Sequence, residues 1–383
     1  MPLTNQPQSQ SQYAEDNENE KNKSTITWST QYDTKKQTHL SSDEIQHLEN
    51  LIKDPIWKKS DDLSQKIGKT LFDILDGDER TLKRALKEAD EQGETLQLYV
   101  KSGYLASKLP FELLYDSIYL VPSRIHLVRK VSDRGNKIKP TPEGHPLKIL
   151  FMACSPRDTH PILNFEKEEE KIFKVTKKLA VEMDVEDTGS LEGLSERLAV
   201  NNYDIVHITG HADIDENGTP FFLMEDEEGL CKNVKPSDLV KELSLNMPRL
   251  IFLSGCKTGQ TPEHDAAISF ADHLVLEGIP TALGWGLPVS DVGASIAAEA
   301  IYLDLSRGEN ILWAVKRARK ELNEKPVPTP DLCTNAIFSN ASNIPLMESK
   351  TGRTKQALNC PQGVPAFIKV GEFGKNSELV TIL

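Results

Sequence analysis

Two short stretches, VHITGH (206–211) and LIFLSGCKTG (250–259), each run as an apolar, strand-like segment into small residues and one reactive side chain. The first delivers His211 and the second Cys256. In an open α/β sheet, functional groups collect just beyond the carboxyl ends of the strands. If the two strands are neighbours and parallel, the thiol and the imidazole meet at one edge, a nucleophile beside its base. The thiolate is the active form of cysteine, and a partner imidazole lowers the free thiol's pKa of about 8.5 or takes its proton during attack. Ser254, Gly255, Thr258 and Gly259 leave room for a substrate backbone to approach. The backbone N–H groups of Cys256, Gly255, Gly210 and Ala212 are candidates for binding a developing oxyanion.

The plainer readings stand beside this one. Free cysteine is among the most buried residue types, and at a strand end it is usually inert. Cys154 closes another apolar run, LKILFMAC, and is a rival nucleophile without an equally matched histidine. His207 lies four residues before His211, inside the strand, and reads as a core histidine or a support for His211.

The chain has 383 residues, enough for one large or two small domains with real cores. Lys+Arg 45 against Asp+Glu 58 gives a formal charge of -13, which argues against nucleic acid and anionic membranes as partners. No apolar run reaches the roughly 20 residues of a spanning helix, and the N-terminal stretch lacks the apolar core of a secretory signal. Five scattered cysteines (154, 231, 256, 333, 360) suit a reducing cytoplasm better than a disulfide framework. No CxxC pair suggests zinc, and no cofactor is implied. The absence of GxGxxG and GxxxxGK[ST] counts against a nucleotide-binding receiver.

Residues 1–40 are polar and read as disordered. Residues 41–146 predict three helices, in SSDEIQHLENLI (41–52), near 61–76 and about 78–90, followed by short strands and a Pro/Gly-rich connector. Ser42 or Asp43 would cap the first helix. In residues 147–348, strands and helices alternate at the spacing of βαβ units. The expected fold is α/β, a mainly parallel sheet sandwiched by helices, preceded by a smaller α+β half. Residues 349–383 read as a linker and tail holding one strand, VPAFIKVGEF. The chain stops within ELVTIL, an odd place for a free end, as a piece of a longer protein would.

The order of these motifs resembles the CHAT domain, a caspase-like family related to separase. The carrying segments are ITGHAD, LSGCKTG, FADHLVLEGIPTALGWGLPVSD (270–291) and YLDLSRGENILWAVKRARKEL (302–322). LPFELLYD (109–116) matches an upstream segment in which Phe111 stands where tryptophan is usual. The resemblance covers about residues 60–348 and implies a caspase-type cysteine endopeptidase acting on a protein substrate, with His211 as general base and Cys256 as nucleophile. It also implies control by an activating protein partner in a regulatory or defence system. The family often follows its histidine with glycine; here Ala212 follows, which keeps the N–H but narrows the backbone's freedom.

Relatives in the clan often place an acid in the S1 pocket to pair a basic P1 residue, and Asp291, in PVSD, matches the family's Asp in this segment. It equally suits the cap of the helix that begins at VGASIAAEA. Asp265 reads either as a cleft residue or a solvated loop residue, and Trp285 as a core, rim or pocket-wall aromatic. The run Glu225–Glu228 reads as an exposed hairpin turn. A catalytically silent, caspase-like interaction module is the alternative function.

Overall fold

The structure is a computed structural model that describes residues 25–32, 34–53, 60–101, 109–131, 146–160, 165–177, 181–216, 219–255, 266–285, 291–324 and 335–339. The chain folds as two compact units, Met1–Val131 and Ser132–Leu383.

The first unit opens with a hairpin of β1 (Thr25–Thr30) and β2 (Lys35–His39). This corrects the expectation of disorder through residue 40. TITWST alternates so that Ile26 and Trp28 fall on the core side and are buried, while the intervening threonines and serine suit a pleated surface. The long polar composition around them hid two apolar anchors. α1 (Ser42–Lys53) is capped one residue earlier than expected: Ser41 Oγ accepts from Glu44 N–H, and the Glu44 carboxylate accepts from the Ser41 N–H and hydroxyl. α2 (Asp61–Asp76) and α3 (Thr81–Gln92) follow, then β3 (Leu96–Lys101) and β4 (Ile125–Lys130). Strand order in this unit is β2-β1-β3-β4, with β3 and β4 parallel.

LPFELL forms a 3₁₀ turn (Phe111–Leu113) wrapped around a buried guanidinium. Arg129 of β4 is 2% exposed, and Glu112 is 3% exposed. Arg129 Nε and Nη2 donate to the two Glu112 oxygens at 3.0 and 2.7 Å, and Nη2 also donates to the Leu109 carbonyl at 2.8 Å. Phe111 lies under the guanidinium, 5.7 Å from its centre. α2 approaches this turn through Gly68, where an added Cβ would sit 1.9 Å from the Leu113 carbonyl oxygen.

The second unit alternates as expected: β5 (Leu147–Ala153), α4 (Phe165–Thr176), β6 (Val181–Glu186), α5 (Leu191–Val200) and β7 (Ile205–Ile214). A hairpin of β8 (Pro220–Glu225) and β9 (Cys231–Val234) extends from β7. α6 (Pro236–Leu243), β10 (Leu250–Gly255), α7 (Ala266–Leu276), β11 (Thr281–Trp285), α8 (Asp291–Ser306), α9 (Ile311–Glu324) and β12 (Asn335–Ser339) complete it. Strand order is β6-β5-β7-β10-β11-β12, parallel except for β12, which runs antiparallel to β11. β12 had no counterpart in the sequence reading. The tail strand expected in VPAFIKVGEF lies outside the described residues. From β5 the chain goes to β6 on one side and then returns to β7 on the other, so the switch point of the sheet lies between β5 and β7. α4 and α8 cover one face, and α5, α6 and α7 lie along the other.

Removing one partner of a buried ion pair strands the other charge, at a cost of about 3–5 kcal/mol. Glu112→Ala is therefore expected to lower unfolding stability by that amount in urea titration. Adding Arg129→Met should recover much of the loss.

Candidate active site

β7 and β10 are parallel neighbours with Cα partners Phe252–His207, Ser254–Thr209 and Gly255–Gly210. The two glycines immediately preceding His211 and Cys256 are thus side by side. Cys256 and Asp265 lie outside the described residues. His211 and Ala212 belong to the end of β7 that turns from β10 to pair with β8, opposite Leu223 and Phe222. His211 is 3% exposed and Ala212 6% exposed, so the imidazole is withdrawn from solvent.

Gly210 is needed for a steric reason. A Cβ there would lie 2.5 Å from the Phe222 ring and 3.1 Å from Cys154 Cβ. Phe222 in turn packs on Phe270 of α7. Any larger residue would displace the ring that seats the β7 end.

Side chains alternate along a strand, so His207, Thr209 and His211 share one face. His207 is fully buried and sits among Phe151, Phe252 and Tyr302, with ring centroids 5.0, 4.5 and 5.8 Å away. Its Nδ1 is 2.8 Å from the Tyr302 hydroxyl. Its Nε2 is 3.4 Å from Glu168 Oε1, off the line of a hydrogen bond. Which of His207 Nδ1 and the Tyr302 hydroxyl donates follows the imidazole tautomer. The Ser254 hydroxyl donates to the same Glu168 oxygen. Glu168, Ser254 and Tyr302 are 5%, 3% and 0% exposed. Burial, then the nearby Glu168 charge, pushes the Tyr302 phenol well above its ordinary value and keeps it protonated.

The sequence pointed to His207 as a core or supporting histidine, and the core placement is what the structure has. It gave no role to Glu168 or Tyr302. One signal was present: Glu168 falls on the same helical stripe as Phe165 and Ile172, an acid among core positions.

Cys154, the rival nucleophile, is 1% exposed at the end of β5. Burial, with the charges of Glu186 and Glu225, pushes its thiol well above the ordinary range, so it carries negligible thiolate at neutral pH. Cys231 is partly exposed, and its thiol is also raised, chiefly by partial burial. The acidic run is not uniformly solvated. Glu225 Oε1 accepts from Ser155 N–H at 3.0 Å, while Asp226 closes the hairpin turn by accepting from the Glu228 and Leu230 N–H groups.

Trp285 ends β11 at 1% exposure, which is the core placement; its indole N–H meets no acceptor among the described residues. Asp291 is the first residue of α8, and its side chain lies outside the described residues. Among the described residues no cluster of three or more His, Cys, Asp or Glu could hold a metal ion, and no helix is long and apolar enough to cross a membrane.

The CHAT domain family matches residues 65–348. A comparison with curated proteins gives no match. Among solved structures, the chain is similar to the Arg-specific cysteine proteinase gingipain R (RgpB), at 9% identity over 80% of this chain and 76% of that one, with a TM-score of 0.45. It is similar to the complex of Porphyromonas gingivalis RgpB pro- and mature domains, at 10% identity over 80% and 78% of the two chains, with a TM-score of 0.43. It is also similar to the Drosophila initiator caspase Dronc, at 12% identity over 56% of this chain and 92% of that one, with a TM-score of 0.32. With a family match that runs from α2 to beyond β12, well over half its length, the chain belongs to the CHAT domain family.

Proposed function

We propose that this protein is a CHAT-type cysteine endopeptidase in which Cys256 attacks a peptide carbonyl and His211 manages the proton. The observation that carries this reading is the pairing of Gly210 with Gly255. Hydrogen-bonded strands lie about 4.8 Å apart, and the next residue of each is His211 or Cys256.

His211 takes the thiol proton as sulfur bonds to the carbonyl carbon. The tetrahedral oxyanion is met by backbone N–H groups drawn from Cys256, Gly255, Gly210 and Ala212. Collapse breaks the C–N bond, His211 protonates the departing amine, and a thioester remains. Water then gives a proton to His211 and its oxygen to the acyl carbon, and the thiol is regenerated. Asp291 and Asp265 are the acids assigned to a basic P1 side chain, with Trp285 backing the pocket from the core.

The burial of His211 supports a site that opens only when an activating protein partner or the substrate engages it. The same burial suits the second reading, a silent module that uses the fold to bind a partner.

Alkylation of the full chain near pH 7, with sites mapped by mass spectrometry, separates the two. The peptidase reading expects Cys256 to react first and His211→Ala to slow it by about 10²-fold, the lower range for a general base. Cys154 is expected to stay unmodified until the protein unfolds, because it is buried and its thiol is pushed up. Equal, slow labelling of Cys256 and Cys231, unchanged by His211→Ala, would favour the silent module. In cleavage assays on peptide libraries, Asp291→Asn is expected to cut kcat/KM for basic P1 residues by at least tenfold and to spare neutral ones.

A further inference from the structure

An ionised carboxylate costs several kcal/mol to bury unless its partners compensate. Glu168 is 5% exposed, and its Oε1 faces a neutral hydroxyl and an imidazole. Those two partners come from the two strands that lead to His211 and Cys256. His207 lies four residues before His211 on β7, and Ser254 lies two residues before Cys256 on β10. The imidazole is prevented from turning away by Phe151 and Phe252 on its flanks and by the Tyr302 hydroxyl on its other nitrogen.

We propose that Glu168 is a positioning residue of the Cys256–His211 site: held by α4, its carboxylate takes the Ser254 hydroxyl of β10 and packs against the His207 imidazole of β7, and so sets the spacing and level of the two strand ends. The proposal rests on the peptidase reading above. At about 3.3 Å per residue, His207 lies about 13 Å along the strand from His211. Glu168 therefore acts through the strands and not on the reacting atoms. Reaction rates fall steeply when a nucleophile and its base shift by even 1 Å, which gives such a tie its value.

The test measures iodoacetamide alkylation rates of Cys256 and Cys231 in the full chain, with Cys231 as internal reference. Variants are Ser254→Ala, Ser254→Thr and Glu168→Gln. Ile172→Val, a buried change on the same helix outside the cluster, controls for loss of stability. The expected result is a fall of about tenfold in the Cys256/Cys231 ratio for Ser254→Ala. Ser254→Thr, which keeps the hydroxyl, should return to within about threefold of wild type, Glu168→Gln should fall between them, and Ile172→Val should keep the wild-type ratio. Should Glu168→Gln fail to fold, the Ala/Thr pair at Ser254 decides the matter. Ser254→Ala labelling Cys256 as fast as wild type would overturn the proposal while leaving the dyad standing. So would a loss that tracks melting temperature across all variants, Ile172→Val and Ser254→Thr included. If wild-type Cys256 is no faster than Cys231 and His211→Ala changes nothing, the peptidase reading fails and takes the positioning role with it.

Discussion

The pairing of β7 with β10 is the constraint on which the candidate site depends. Parallel strands have evenly spaced, slanted hydrogen bonds, so a register once set holds along the whole pair. Six residue pairs, from Leu250–Ile205 to Gly255–Gly210, set it here. A slip of one residue would move every side chain of β10 to the opposite face. Phe252 would then leave His207, Ser254 would leave Glu168, and the two glycines would no longer be level. The crossovers through α6 and α7, the ring of Phe222 against Gly210, and the aromatic surroundings of His207 all act on that one register.

Buried polar groups make the register specific. An apolar sheet tolerates approximate packing, whereas a buried carboxylate needs its donors at fixed places. Glu168 needs the Ser254 hydroxyl on β10 and lies beside His207 on β7, so misalignment of the strands leaves a charge unsatisfied. The first unit uses the same device in another form. Arg129 on β4 is enclosed by the Glu112 carboxylate, the Leu109 carbonyl and the Phe111 ring, so the LPFELL turn is fixed to one strand at one level. This ion pair is bidentate, which adds direction to attraction. The cysteines show what environment alone can do. Cys154, enclosed and near two carboxylates, is held as a thiol, although its sequence setting at the end of an apolar strand resembles that of Cys256.

Much of the fold was legible in the chain because strand and helix periodicities are local. The helix at Asp61–Asp76 stood out through Leu63, Ile67, Leu71 and Leu75, and the apolar runs at 147–153 and 250–255 had the continuous hydrophobicity of strands covered on both faces. What escaped was where locality fails. β1 carries only Ile26 and Trp28 as core residues inside a polar stretch, and β12 is a five-residue strand whose place depends on β11. Glu168 escaped because an acid in an acidic helix reads as solvated until the partners on two distant strands are known.

The sequence by itself determined the alternation of elements, the places of His211 and Cys256 in the chain directly after two strand-like runs, and membership in the CHAT domain family through motifs spread over most of the chain. These properties live in runs of neighbouring residues, where periodicity and residue type are enough. Only the tertiary structure decided which strands are adjacent, that Gly210 and Gly255 stand level, that Cys154 is enclosed with its thiol pushed up, and that His207, Glu168, Ser254 and Tyr302 form one buried cluster. Each of those depends on burial and on contacts between residues tens of positions apart, and neither desolvation nor strand register is encoded in any single segment.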